Sequence, residues 1–188
     1  MRKKKIVGNN SNNKLTNKNG DKLKRIKISL IFTVIALVIF YICYPIINGD
    51  FVWDDKLHIL NNTDISDNGL LGVLNVFRPT DKYMYHPITI LSYKLDYLIS
   101  GYNTTSYHLT NIIIHIIVTI LVYMVTYKVM KNIYISLFVS LFFCFHWMHV
   151  EPVAWISGRK DLLAGLFFFS SLLTYILYKE KNNSRYYL

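Results

Sequence analysis

Residues 146–161, "HWMHVEPVAWISGRKD", set two histidines, a glutamate, an Arg-Lys pair and an aspartate between two of the most apolar runs in the chain. His146, His149 and Glu151, at spacings of three and two, have the imidazole and carboxylate chemistry that suits zinc or manganese. Arg159 carries a planar fork of donors matched to a phosphate, Lys160 adds charge beside it, and Asp161 can orient either. Snorkelling to the membrane interface, with Trp147 and Trp155 as belt aromatics, accounts for Arg159, Lys160 and the tryptophans. It does not account for His149, Glu151 and Asp161.

Two further sets have chemical potential. "GDFVWDD", Gly49 to Asp55, ends in adjacent carboxylates. In a partly dry cleft such a pair raises one pKa, so that one member can act as a general base or the pair can bind a cation. A solvated acidic loop end is the plainer reading, although Phe51, Val52 and Trp53 tie the pair to a membrane surface. His108, Asn111 and His115 fall on one face of a helix at spacings of three and seven. Polar groups there face a protein interior or a watery cavity, or make helix-packing hydrogen bonds.

The elements that must position these residues are membrane spans. The 188 residues are 53% hydrophobic and only 17% charged, the profile of an integral membrane protein. Of the 21 Lys and Arg, ten lie in the first 27 residues, so the net charge of +10 is a property of one tail. A basic, Asn-rich tail before an apolar run suits positive-inside orientation and contact with anionic lipid, and no basic stripe with aromatics supports nucleic-acid binding. Cys43 and Cys144 sit in apolar runs and read as small hydrophobes.

The expected class is an all-α integral membrane protein of about four transmembrane helices. A basic, disordered cytoplasmic tail covers 1–26, and the first span, near 27–47, is a retained signal-anchor. The other spans fall near 107–127, 133–148 and 162–178, with a cytoplasmic tail at 179–188. An external loop, 48–104, carries "HPITILSYKLDYLISG", read as an amphipathic interfacial helix with Lys94 and Asp96 on its wet side. Seven Asp against four Lys/Arg in that loop, and net positive inside segments, agree with this alternation and with cytoplasmic termini. The three polar sets then share the outer face, where they suit an amphiphilic substrate with its phosphate at the headgroup level.

"GDFVWDD", then "HPITILSYKLDYLISGYNTTSYHLTNIIIHIIVTILVY", then "HWMHVEPVAWISGRKDLLAGLFFFSSLLTY" resemble the N-terminal membrane half of the protein O-mannosyltransferase-like proteins that carry tetratricopeptide repeats. These are membrane glycosyltransferases of the GT-C fold. The resemblance covers residues 46 to 178, with four motifs in order. It implies a partial GT-C fold and transfer of a sugar, mannose foremost, from a polyprenyl phosphate to an acceptor hydroxyl on a protein or glycan outside the cytoplasm. It places the catalytic base at Asp54 and Asp55 and the lipid-phosphate contacts at Arg159 and Lys160, with His86, His108 and Asn111 beside them. His149, Glu151 and Asp161 shape the site. No cofactor is required, and a divalent metal is an option only. Two departures stand out: His86-Pro87 where the family often has Arg-Pro, and His146-Trp147 where it often has His-Pro.

The resemblance also implies more spans than four. The chain is therefore expected to be a fragment, or to need a second chain for the missing spans, in a membrane that Lys-, Ile- and Asn-rich usage, the mark of an AT-rich genome, suggests is a bacterial plasma membrane. Two other readings stay open. One is a non-catalytic membrane subunit or remnant of such an enzyme. The other is a metal-dependent membrane enzyme or small transporter built on His146, His149 and Glu151.

Overall fold

The computed structural model describes residues 26, 28–67, 70–78 and 85–181. The expected tails fall almost wholly outside them. Within the described residues the chain is helical, with no strand.

Helix α1, Ile28–Asn48, contains no charge and closes in a tighter 3-10 turn, Tyr44–Asn48, begun by Pro45. Two short helices follow, α2 (Thr63–Ser66) and α3 (Leu70–Asn75). Helix α4, Pro87–Ser100, opens on a proline, whose fixed φ is preorganised for a first turn, and ends at Gly101 with φ 62°. The Asn103 side chain accepts from Thr105 N and starts α5, Thr104–Met130, a cap that contributes about 1 kcal/mol. A left-handed Lys131 and a capping Asn132 then turn the chain into α6, Ile133–Phe145. Helix α7, Val150–Ala154, and the long α8, Arg159–Lys181, complete the fold.

Three stretches are long and apolar enough to cross a membrane: Ile28–Asn48, Thr104–Met130 and Ile156–Glu180. The expected third span is different. Ile133–Phe145 is a 13-residue helix, too short alone, and the following segment Trp147–Ala154 bends away by 54°. An extended His146 and the proline at 152 break the helical ladder there. The protein is thus a multi-pass helical membrane protein of three spans, or four if the bent pair counts as one.

Helix α5 is the axis of the bundle and packs on α6 and α8. Ile35 and Ile39 of α1, Ile112 and Val118 of α5, and Leu162 of α8 share one buried cluster. A second core sits at one end of the bundle, where Ile59, Ile65, Ile90, Tyr93, Tyr107 and Ile156 fasten the 48–104 loop onto it. At the other end Glu180 of α8 takes Lys128 at 2.5 Å and Lys131 at 2.7 Å, which brings the close of α5 and of α8 together.

Helix α4 has the expected bounds but the opposite facing. Lys94 and Asp96 are buried rather than wet, 1% and 4% exposed, while Ile88, Leu95, Leu98 and Ile99 point outward. The reason is that each polar group has an internal partner. Lys94 Nζ donates to the carbonyls of Asp64 and Asp67, and Asp96 faces Arg159. With its ionic groups satisfied inside, α4 presents apolar side chains to its surroundings, as suits a helix lying on lipid.

Candidate active site

The 48–104 loop and the 155–161 turn meet at the end of the bundle away from Glu180. Three glycine-flanked contacts fix them. His108 of α5 approaches the Gly49 carbonyl at 3.2 Å through Nε2, so α5 holds the beginning of the loop. Asn111, one turn further, donates from Nδ2 to the Trp155 carbonyl at 3.2 Å and accepts at Oδ1 from Arg159 Nε at 2.7 Å. At Gly158 a Cβ would come within 2.8 Å of Pro152 Cα, so only a residue without a side chain fits the crossing. His108 and Asn111 are buried and serve the loops, away from any open groove.

Arg159 is fully buried as well. Its Nη2 donates to the Tyr107 carbonyl at 2.9 Å and its Nη1 to Ser92 Oγ at 3.2 Å. Nη1 also lies 2.6 Å from Asp96 Oδ2, a charge contact without hydrogen-bond alignment, while Asp96 Oδ1 accepts from Thr110 at 2.7 Å. The guanidinium stacks over Tyr93, 4.6 Å from the ring centre. Every nitrogen of Arg159 has a partner inside the protein, and its full burial keeps the guanidinium from the open groove. The pairing with Asp96 explains its burial: a lone charge there would cost several kcal/mol.

The adjacent carboxylates are divided by their surroundings. Asp55 is buried. Its Oδ1 accepts from Ser157 N at 2.8 Å and Ser157 Oγ at 2.5 Å, and its Oδ2 accepts from Val52 N at 3.0 Å. It ties the loop to the turn across 102 positions of sequence. Asp54 is exposed. The pair opens a helical turn that widens at once into a π-helix, Lys56–Leu60, a rare geometry that is frequent at functional sites. That turn carries His58, four residues after Asp54. Burial lowers the His58 pKa below 6.5, the Asp54 charge opposes the shift, and Lys160 and His86 add to it. Asp54, His58, His86 and Lys160 are therefore within electrostatic reach of one another.

These groups border open space. A small cavity of about 20 Å³ is lined by His58, His86, Thr89, Ile90, Tyr93, Ser157 and Lys160, room for one water. It adjoins a groove of about 620 Å³ that shares His86, Thr89 and Lys160. The groove has a polar head of His86, Lys160 and Asp161 and an apolar wall of Ile88, Leu163, Ala164 and Phe167. A second cleft of about 410 Å³ is lined by Val52, Trp53, Glu151, Ala154 and Trp155.

Of the residues expected at a site, His86, Lys160 and Asp161 border one groove, Glu151 borders the second cleft, and Asp54 is exposed within electrostatic reach of His58. Asp55, Arg159, His108 and Asn111 are its scaffold. His149 stacks on Phe143 at 4.1 Å, with His115 and His146 each 5.9 Å away, ring centre to ring centre. Among the described residues no three of His, Cys, Asp and Glu gather closely enough to hold a metal ion. Reasoning from sequence missed His58, although its spacing from Asp54 was a visible signal. It also missed Ser157, for which a serine beside Gly158 gives no signal.

The class these features define is a multi-pass helical membrane protein with a polar site at one end of its bundle. Comparison with curated proteins makes this more particular. Over 139 residues, 69% of the chain, it is 35% identical to "Protein O-mannosyl-transferase TMTC2" of Mus musculus. It is 32% identical over 159 residues to TMTC4 of the same species, and 34% identical over 142 residues to TMTC3 of Homo sapiens, 72% and 71% of the chain. The chain's homologues are thus protein O-mannosyl-transferases of the TMTC group. It spans only 16%, 22% and 15% of the length of these relatives. No family model matches the chain, and no solved structure does.

Proposed function

We propose that this chain forms the base and donor-phosphate side of a membrane glycosyltransferase that moves mannose from a polyprenyl phosphate to an acceptor hydroxyl on the extracytoplasmic face. The observation that carries this reading is the exposed Asp54 carboxylate acting on His58, which lines a small cavity adjoining a groove with a cationic head and an apolar wall. An amphiphilic phosphate fits such a groove: the phosphate against Lys160 and His86, the isoprenoid along Ile88, Leu163 and Phe167. The relatives' names supply the sugar and the protein acceptor.

In this reading Asp54 takes the proton of the acceptor hydroxyl. The oxygen then forms a bond to the anomeric carbon, while the bond from that carbon to the phosphate oxygen breaks and its electron pair leaves with the lipid phosphate. Lys160 stabilises the departing charge. His58, held neutral at pH 7 by its burial, is placed to hand a proton between Asp54 and the phosphate end. Arg159, the cation first expected at the phosphate, is engaged by Asp96, Ser92, Asn111 and the Tyr107 carbonyl behind Lys160 in the chain.

The test is transfer of radiolabelled mannose from polyprenyl-phosphate mannose in membranes containing the chain, beside a Lys160→Gln variant. Label transferred by the wild type and reduced by about 10²-fold in the variant supports the reading. Equal transfer by both removes Lys160 from the phosphate. No transfer by the wild type, with the donor still protected by the chain against phosphatase, favours the non-catalytic subunit.

A further inference from the structure

The cleft beside the loop has a composition that the donor lipid does not use. Trp53 is 80% exposed and sits at φ 46°, a left-handed conformation that bulky residues rarely adopt. Its ring meets that of Trp155 edge to face at 6.1 Å, so the two indoles form a corner. Trp155 Nε1, shielded from water, has no acceptor in the protein. Glu151, exposed, closes the cleft, and Trp53 is followed directly by Asp54. The cleft therefore adjoins the proposed base through the chain, and Lys160 of the groove stands over the Trp155 ring, 5.8 Å from its centre. Trp53 and Trp155 belong to the cleft, while His86, Thr89 and Lys160 belong to the groove.

We infer that the cleft of Val52, Trp53, Glu151, Ala154 and Trp155 receives the acceptor: an extended polypeptide segment whose Ser or Thr hydroxyl reaches Asp54 and whose neighbouring basic residue is held by Glu151. This rests on the reading of Asp54 as base. Two perpendicular aromatic faces give a side chain a rigid apolar seat with little entropy to lose. The Glu151 carboxylate selects for positive charge and against negative charge in the segment. A volume of about 410 Å³ is within the range of ordinary ligand pockets.

The experiment needs no donor and no turnover. The chain is reconstituted in phosphatidylcholine nanodiscs with Trp147→Phe, which leaves Trp53 and Trp155 as the emitters. Tryptophan-free peptides Ala-Lys-Ser-Lys-Ala and Ala-Glu-Ser-Glu-Ala are titrated in. The expected result is a saturable emission change with the Lys peptide, and about ten-fold weaker binding in Glu151→Gln and for the Glu peptide. Trp53→Phe should retain binding in part, and Trp53→Gly should lose it while far-ultraviolet circular dichroism stays unchanged. Equal response to both peptides, no response, or quenching of Trp53 by brominated lipid instead of protection by peptide would overturn the inference, the last marking Trp53 as a lipid anchor. Peptide binding without sugar transfer in the donor assay would mean that the proposed chemistry has failed and the cleft has not. Transfer without peptide binding would mean the reverse.

Discussion

Asp96 and Arg159 meet at 2.6 Å in a place neither could occupy alone. Both side chains are removed from water, and the pair is completed by Thr110, Ser92, Asn111 and the Tyr107 carbonyl. The contact joins α4 to α8 through α5, and it explains why a helix on the membrane surface turns its charges inward. Removing one partner strands the other charge. Arg159→Met and Asp96→Leu should each destabilise the fold by about 3–5 kcal/mol, and the double variant by less than either. Thermal melting in detergent, read as a double-mutant cycle, checks this. Additive losses would show that the two groups are not coupled.

The turn that carries Ser157 and Arg159 depends on the absence of a side chain between them. Gly158→Ala would force Pro152 away and should cost about 1–3 kcal/mol by overpacking. Because Ser157 binds Asp55, the same change should loosen the 48–60 loop. Faster hydrogen exchange at Ser157 N and Val52 N, both donors to Asp55, is the expected signature. Unchanged exchange at these amides would contradict the coupling.

The acid dependence follows from His58. Its folded-state pKa lies below 6.5, chiefly through burial, whereas the unfolded chain protonates near 6.5. Below that pH the unfolded state binds more protons, so the stability contributed by neutral His58 is whole above 6.5 and is lost as pH falls toward the folded pKa. Melting temperature should therefore drop between about pH 7 and pH 5, and His58→Gln should flatten part of that drop. A His58 imidazole NMR titration with its midpoint at or above 6.5 would contradict the shift.

Much of the architecture was legible in the residues. The runs of α1 and α5 are long enough for a hydrocarbon core with hardly a charge, the uncharged run of α8 reaches the lower limit for one, and His86-Pro87 and Gly101 bracket α4 in full view. The facing of α4 was not legible. Lys94 and Asp96 read as wet because charged residues on a surface helix normally are, and their partners, two loop carbonyls and Arg159, are distant in sequence. The same blindness made Arg159 a phosphate ligand. A buried and an exposed arginine have the same letter, and only the convergence of Ser92, Asp96, Asn111 and Tyr107 distinguishes them. The third span misled for a local reason: apolarity continued to Met148, while His146 had already left the helix.

The division of labour within the acidic pair is the point on which the proposed chemistry stands. Asp55 accepts three hydrogen bonds inside the protein, and Asp54 faces outward beside His58. The most direct measurement assays Asp54→Asn and Asp55→Asn separately for mannose transfer from polyprenyl-phosphate mannose, with thermal melting measured on the same preparations. Asp54→Asn should melt like the wild type and transfer about 10²- to 10⁴-fold more slowly, the usual contribution of a general base. Asp55→Asn should melt earlier and lose transfer only in proportion to lost fold. A folded Asp54→Asn protein that transfers mannose at the wild-type rate would contradict Asp54 as the base.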